Sequence, residues 1–134
     1  MARLTRLPAF FRFALVGAAG FVVNEAALWL ALHPLHLGKD VAWFFAFVPS
    51  VTFTWWGNRT FTFAERASDK PLREWARFVA TNSLGALANL ATYEILIRVA
   101  ALNAQLALAA GVLVGLAFNY TLSKAFVFRK SLSS

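Results

Sequence analysis

Arg12, Arg59, Arg77 and Lys124 each stand where an uncharged run of the chain begins or ends. At the edge of an apolar phase, guanidinium and ammonium groups grip phosphate, Arg through a planar fork and Lys as a point charge. The same placement also serves as plain topology signalling and headgroup contact. A second set, Asn24, Glu25, Asn58, Asn89 and Asn119, falls inside or at the ends of those runs. Amides there either pack helix against helix or hydrogen-bond a polar guest. At about 1.5 Å per residue, Glu25 lies roughly 20 Å beyond Arg12. A carboxyl at that depth of a ~30 Å apolar layer costs about 2.5 kcal/mol or more, so it is expected to be paired, protonated or functional. Glu94, four residues before Arg98, is expected to form a surface ion pair instead.

Other chemistry is thinly supplied. The chain has no Cys, which removes thiol nucleophiles, disulfides and thiolate-bound metals. His33 and His36 are three apart with no third ligand nearby, so no metal site is expected. No Ser-His-Asp set, Gly-rich phosphate loop or carboxylate pair occurs, and neither an enzyme nor a cofactor is expected.

The elements that position these residues follow from hydropathy. Of 134 residues, 60% are hydrophobic and 14% charged, against about 45–50% and about 25% in soluble domains. A net charge of +7 and a pI near 10.9 would suggest nucleic acid in a soluble protein. Here the basic residues are dealt to the ends of apolar runs, with no basic stripe left over, so no nucleic-acid partner is expected. Phe13–Leu32 is long enough to span, broken only by Glu25 and stopped at His33-Pro34. A cleaved signal peptide is the rival reading, rejected because cleavage would destroy half of a repeat. Val41–Gly57 is the second span, with a kink expected near Phe45–Pro49. The polar segment Arg59–Arg77 follows, and Pro71 is placed to open a helix in its second half. The third span is expected from about Phe78 to Val99 and the fourth from about Gln105 to Ser123.

The repeat is written in the residues. FTWWGNRTFTF (Phe53–Phe63) returns loosely as FNYTLSKAFVF (Phe118–Phe128), an offset of 65 positions, without a gap. The same offset lays Arg12, Phe13, Gly20, Asn24 and Ala26 on Arg77, Phe78, Gly85, Asn89 and Ala91. The fold class expected is therefore all-α: a polytopic membrane protein with four transmembrane helices from two parallel two-helix repeats. Repeat 1 covers about 11–63 and repeat 2 about 76–128 of a single domain, 1–134. Eleven Lys and Arg flank one side of the spans, while only Lys39 and Arg98 flank the other, which puts both termini and the central loop in the cytoplasm. Four-residue spacing puts Ala46, Ser50, Thr54 and Asn58 on one stripe, and Gly111, Gly115, Asn119 and Ser123 on another. With Gly17, Gly20 and Asn24, and Asn82, Gly85 and Asn89, these stripes are expected to form the bundle interior.

Taken together, Arg12, Phe13, Gly17 and Gly20, then Asn58, Arg59, Thr60, Phe61 and Phe63, and last Asn119, Lys124, Phe126 and Phe128 resemble the GtrA-like family. The resemblance covers about Phe11 to Arg129 and departs at Ser123-Lys124, where a full copy would read Asn-Arg. It implies a protein of the cytoplasmic membrane that flips polyprenyl-phosphate-linked sugars for cell-surface polysaccharide synthesis. Arg12, Arg59, Arg77 and Lys124 would then take the phosphate, while Asn24, Glu25, Asn58, Asn89 and Asn119 line the sugar's route. Membrane lipids, a glycosyltransferase and further copies of the chain are the partners this implies. Two other readings stand beside it: a non-transporting partner that anchors a glycosyltransferase, and a small multidrug exporter using Glu25. Against the exporter, the strong charge bias fixes one orientation.

Overall fold

The computed structural model describes residues 6–129, and all regular structure among them is helical. Arg3 and Lys130, counted above among the basic flanks, lie outside the described residues. The chain divides between Ala67 and Ser68 into two compact units.

Unit 1 is a helical hairpin. Helix α1 (Ala9–Leu32) opens after Pro8, whose carbonyl accepts from the N–H groups of Phe11 and Arg12 at 3.0 and 3.1 Å. It ends at Leu32, with the His33 N–H still donating to the Trp29 carbonyl at 3.0 Å and Pro34 bringing no N–H to carry the ladder on. The span expected from Phe13 thus starts earlier, and Arg12 lies in the first turn of the helix rather than before it. Helix α2 (Lys39–Gly57) follows Gly38, with Asp40 in its first turn complementing the helix dipole. It runs on through Pro49, which offers no N–H to the turn before it. A π-helical turn (Asn58–Thr62) continues α2 and is closed by the Phe63 N–H donating to the Asn58 carbonyl at 2.8 Å.

Unit 2 has the same plan. Helix α3 (Pro71–Arg98) opens with Pro71, as expected of that residue, and runs unbroken through Phe78, where a separate third helix is expected to begin. The reason is local: Glu74 is 2% exposed and its Oε2 accepts from the Ser68 N–H at 2.5 Å, which ties the chain entering α3 to its first turn. Arg77 consequently lies inside the helix instead of at its start. Helix α4 (Ala104–Leu122) is capped by the Asn103 side chain, which accepts from the Gln105 N–H at 2.8 Å. A second π-turn (Ser123–Val127) follows, closed by the Phe128 N–H on the Ser123 carbonyl at 2.8 Å.

Displacing α2 and the first π-turn by 65 residues gives the bounds of α4 and the second π-turn. The turns within the hairpins correspond as well. His36 and Ala101, at that same spacing, both adopt left-handed backbone, φ 52° and 51°. Leu37 N–H donates to the Ala31 carbonyl at 2.8 Å, and Leu102 N–H to the Leu96 carbonyl at 2.9 Å. Phe13 and Phe63 meet at 6.2 Å between centroids and 59° between planes; Phe78 and Phe128 meet at 6.3 Å and 59°.

Small residues make each hairpin's seam. In unit 1, Ala31, Ala42 and Ala46 are at most 1% exposed. In unit 2, Gly85, Ala107, Gly111 and Gly115 are buried. Small seams let helices approach closely, the route to association where hydrophobicity gives no preference. Among the described residues two helices are long and apolar enough to cross a membrane: α1, and α4 with its π-turn (Ala104–Val127), each with mean hydropathy 1.7. Glu94 and Arg98 form the expected ion pair, Nε to Oε2 at 2.6 Å, both exposed.

Candidate functional site

Polar and charged groups collect where α1 begins and α2 passes into the first π-turn. Arg12 spends two of its edges on the fold: Nη1 donates to the Phe61 carbonyl at 2.6 Å, and Nε to the Leu7 carbonyl at 3.1 Å. Nη2 makes no hydrogen bond among the described residues. The Phe61 bond stitches the start of α1 to the π-turn, a local rearrangement found often at functional positions. Arg59, inside that turn, lies over the Trp55 ring at 5.9 Å from guanidinium carbon to centroid, within cation–π range.

Asn58 opens the turn and is fully buried. Its Oδ1 accepts from the Thr62 hydroxyl at 2.7 Å, while its Nδ2 has no partner among the described residues. At the corresponding place in unit 2, Ser123 is 1% exposed with an unpartnered Oγ, and Val127 replaces the Thr62 hydroxyl. The two turns therefore answer differently to mutation. Thr62→Val should cost about 1–2 kcal/mol, because it strands a second polar atom of Asn58. Ser123→Ala should be neutral or stabilising by up to about 1 kcal/mol, since it removes a hydroxyl that makes no bond. Thermal unfolding of the full chain in detergent distinguishes them, and equal losses for both would refute the contrast.

Between α1 and α2 runs a cleft of about 200 Å³, walled by Leu15, Val16, Ala19, Phe53, Trp56 and Phe61, with Arg12 also lining it. Gly57 forms part of the wall, where a Cβ would come within 2.7 Å of Val16 Cγ1. Walls so apolar suit a hydrocarbon chain, and the Arg12 stem forms part of them.

The other residues expected at the site are placed as follows. In unit 2, Lys124 is exposed with Nζ 6.0 Å from the Tyr120 centroid, and Arg77 is exposed. Asn119 lies directly against Gly85, its Oδ1 buried and unpartnered among the described residues. Asn89 lies against Gly111 and Gly115. The stripes read as a common bundle interior are thus used inside the hairpins. Gly20 faces Thr54, and the Ser50 hydroxyl donates to the Gly20 carbonyl at 2.9 Å. Asn24 is half-buried toward the other end of α1, and Glu25 is exposed there with no hydrogen bond or ion pair among the described residues. Neither is brought to the Arg12 cleft. Among the described residues no three metal-capable side chains gather, and His33 is taken up by Trp29, whose ring it stacks on at 5.1 Å.

Sequence reasoning missed Thr62, the groove wall of Trp56 and Phe61, and buried Glu74. The i, i+4 spacing of Asn58 and Thr62 was the one signal for the first. The groove has no local signature, because its walls come from two helices.

The description "GtrA/DPMS, transmembrane domain" matches residues 12–128, nearly the whole chain. The chain belongs to this family. The matched stretch opens on Arg12 and closes on Phe128, so the GtrA/DPMS region holds both hairpins, from the cation that ties α1 to its π-turn through to the ring that closes the second one. As a GtrA/DPMS transmembrane domain, the chain is a membrane protein, in keeping with its two long apolar helices. No curated protein matches the sequence.

Proposed function

We propose that this GtrA/DPMS protein moves a polyprenyl-phosphate-linked sugar across the cytoplasmic membrane for cell-surface glycan synthesis. The observation that carries the reading is the unit 1 cleft, whose apolar walls run beside the arginine that ties α1 to the π-turn. A prenyl chain matches the walls, and its phosphate matches Arg12, with Arg59 a second cation in the π-turn that Arg12 holds. The family's association with the synthesis and transport of glycan precursors supports the same cargo.

In this reading all four helices span, as two parallel copies of one hairpin. The 65-residue spacing shared by helix bounds, turns and ring pairs supports the duplication. Basic flanks of eleven residues against two support cytoplasmic termini in the inner membrane. Arg77 and Lys124 join the phosphate-gathering cations, and Asn24, Glu25, Asn58, Asn89 and Asn119 serve the sugar's route. A homo-oligomer and a glycosyltransferase are its proposed partners.

The test is reconstitution. Proteoliposomes holding the purified chain and a fluorescent short-chain prenyl-phosphate sugar should equilibrate label between leaflets, which protein-free vesicles do not. No protein-dependent movement, together with co-purification of a glycosyltransferase from cells, would replace the transporter with an anchoring partner. The association with synthesis as well as transport favours that second reading over others.

A further inference from the structure

Unit 2 carries a second opening, at the end beside the α3–α4 turn and away from Lys124. It is a cleft of about 380 Å³, within the size range of small-molecule sites. Asn89, Tyr93 and Gln105 line it, with Ala86, Leu90 and Leu108 as apolar floor. None of the three polar side chains hydrogen-bonds another described residue, although Gln105 spends its backbone N–H on capping α4. Asn89 and Tyr93 are four apart on α3 and so share a face, while Gln105 approaches from the first turn of α4.

We infer that this cleft is a binding site for a neutral, polyhydroxylated ring: a sugar. The donor set decides the class. Two carboxamides and a phenol each offer both donor and acceptor, the pairing a ring of hydroxyls needs, whereas a phosphate would want cations. No charged residue lines the cleft. The Tyr93 ring and the floor of Ala86, Leu90 and Leu108 supply a surface for the C–H face of a sugar.

The site belongs to unit 2 alone. At the positions 65 residues earlier, Asn24 keeps the amide of Asn89, but Leu28 replaces Tyr93 and Asp40 replaces Gln105. Phe21 and Trp43 also stand where Ala86 and Leu108 leave room. The two units have therefore diverged: the groove beside Arg12 lies in unit 1, and the uncharged polar cleft in unit 2. This rests on the proposed cargo in one respect, that the sugar arrives joined to a lipid phosphate; a free sugar in the aqueous phase has the same chemistry and would fit the same groups.

The test is binding to the purified full chain in detergent, by calorimetry, with citronellyl phosphate and with its glucosyl, mannosyl and arabinosyl phosphodiesters as probes. At least one glycosyl form should show a second binding event beyond the one it shares with citronellyl phosphate, because the cleft takes the sugar independently of the unit 1 groove. Asn89→Ala with Gln105→Ala should abolish that second event and leave citronellyl phosphate itself unchanged. Ala86→Phe, which fills the cleft without touching a polar group, should do the same if the double variant does not fold. Competition by the free monosaccharide assigns the site to a sugar from the aqueous phase, and its failure to compete assigns it to the lipid-borne one. If every glycosyl form shows only the event it shares with citronellyl phosphate, the sugar site is wrong and the phosphate reading stands. If no probe binds at all, both fall.

Discussion

Gly111→Ala should lower the stability of the chain by about 2–3 kcal/mol, the upper range for forcing extra volume into a packed seam. A single methyl suffices, because of what it would meet. An ideal Cβ at Gly111 lies 2.5 Å from the Asn89 Oδ1 and 2.8 Å from the Asn89 backbone carbonyl oxygen. The amide can swing aside at the cost of its rotamer, but the carbonyl cannot move without the rest of α3. Gly111→Ala combined with Asn89→Ala should therefore recover only part of the loss. Gly17 is the internal control, since a Cβ there has nothing within 4 Å. Gly17→Ala should fall within about 0.5 kcal/mol of the parent, as surface changes do, or gain slightly from better helix propensity. Thermal unfolding of the three variants in one detergent reads the comparison, and a Gly111→Ala protein as stable as Gly17→Ala would sink it.

The same pair of glycines shows what could be read from residue order and what could not. Four-residue spacing marked Gly111, Gly115, Asn119 and Ser123 as one face of a helix, and that holds: three of the four are buried and Asn119 sits against Gly85. Gly17 carried the same sequence signal and meets nothing. Spacing identifies a face, but which partner that face meets depends on register across the turn. That is also why stripes read as the lining of one common interior serve as seams within each hairpin. Tyr93 and Gln105 escaped notice for the same reason: they lie on different helices, brought to one cleft by the turn that leads into Asn103.

Hydropathy was a good guide to where helices lie and a poor one to where they start. It puts the third helix at Phe78, because Arg73, Glu74 and Arg77 look like a solvated loop; the helix that Pro71 is expected to open instead runs on through Phe78 without a break, with Glu74 buried and accepting from the Ser68 N–H. The π-turns were invisible to it. An i+5 bond from Phe63 to Asn58 leaves no periodic trace over five residues, though the repeated aromatic tail at Phe61–Phe63 and Phe126–Phe128 marked the place. Glu25 was singled out by depth alone, and lies exposed without a partner among the described residues.

Arg12→Ala should reduce prenyl-phosphate binding and movement by at least tenfold, since a hydrogen bond to a charged group contributes about 1.5–3 kcal/mol and one factor of ten is about 1.4 kcal/mol. Arg12→Lys should rescue little of it. The guanidinium holds the Leu7 carbonyl through Nε and the Phe61 carbonyl through Nη1, and Nη2 has no partner among the described residues. An ammonium has its three donors on one atom and cannot hold the π-turn and a phosphate in fixed directions together. The loss has a structural part, because the Phe61 carbonyl is left without this donor, and that part will appear as a lower unfolding temperature. A second comparison separates the two. Citronellol fits the apolar walls but has no phosphate, so its affinity should be unchanged in Arg12→Lys while that of citronellyl phosphate falls. Equal loss for alcohol and phosphate would mean that Arg12 only shapes the groove. Loss for the phosphate alone would make it the group that selects the anionic lipid, with the walls of Trp56 and Phe61 accepting whatever chain follows.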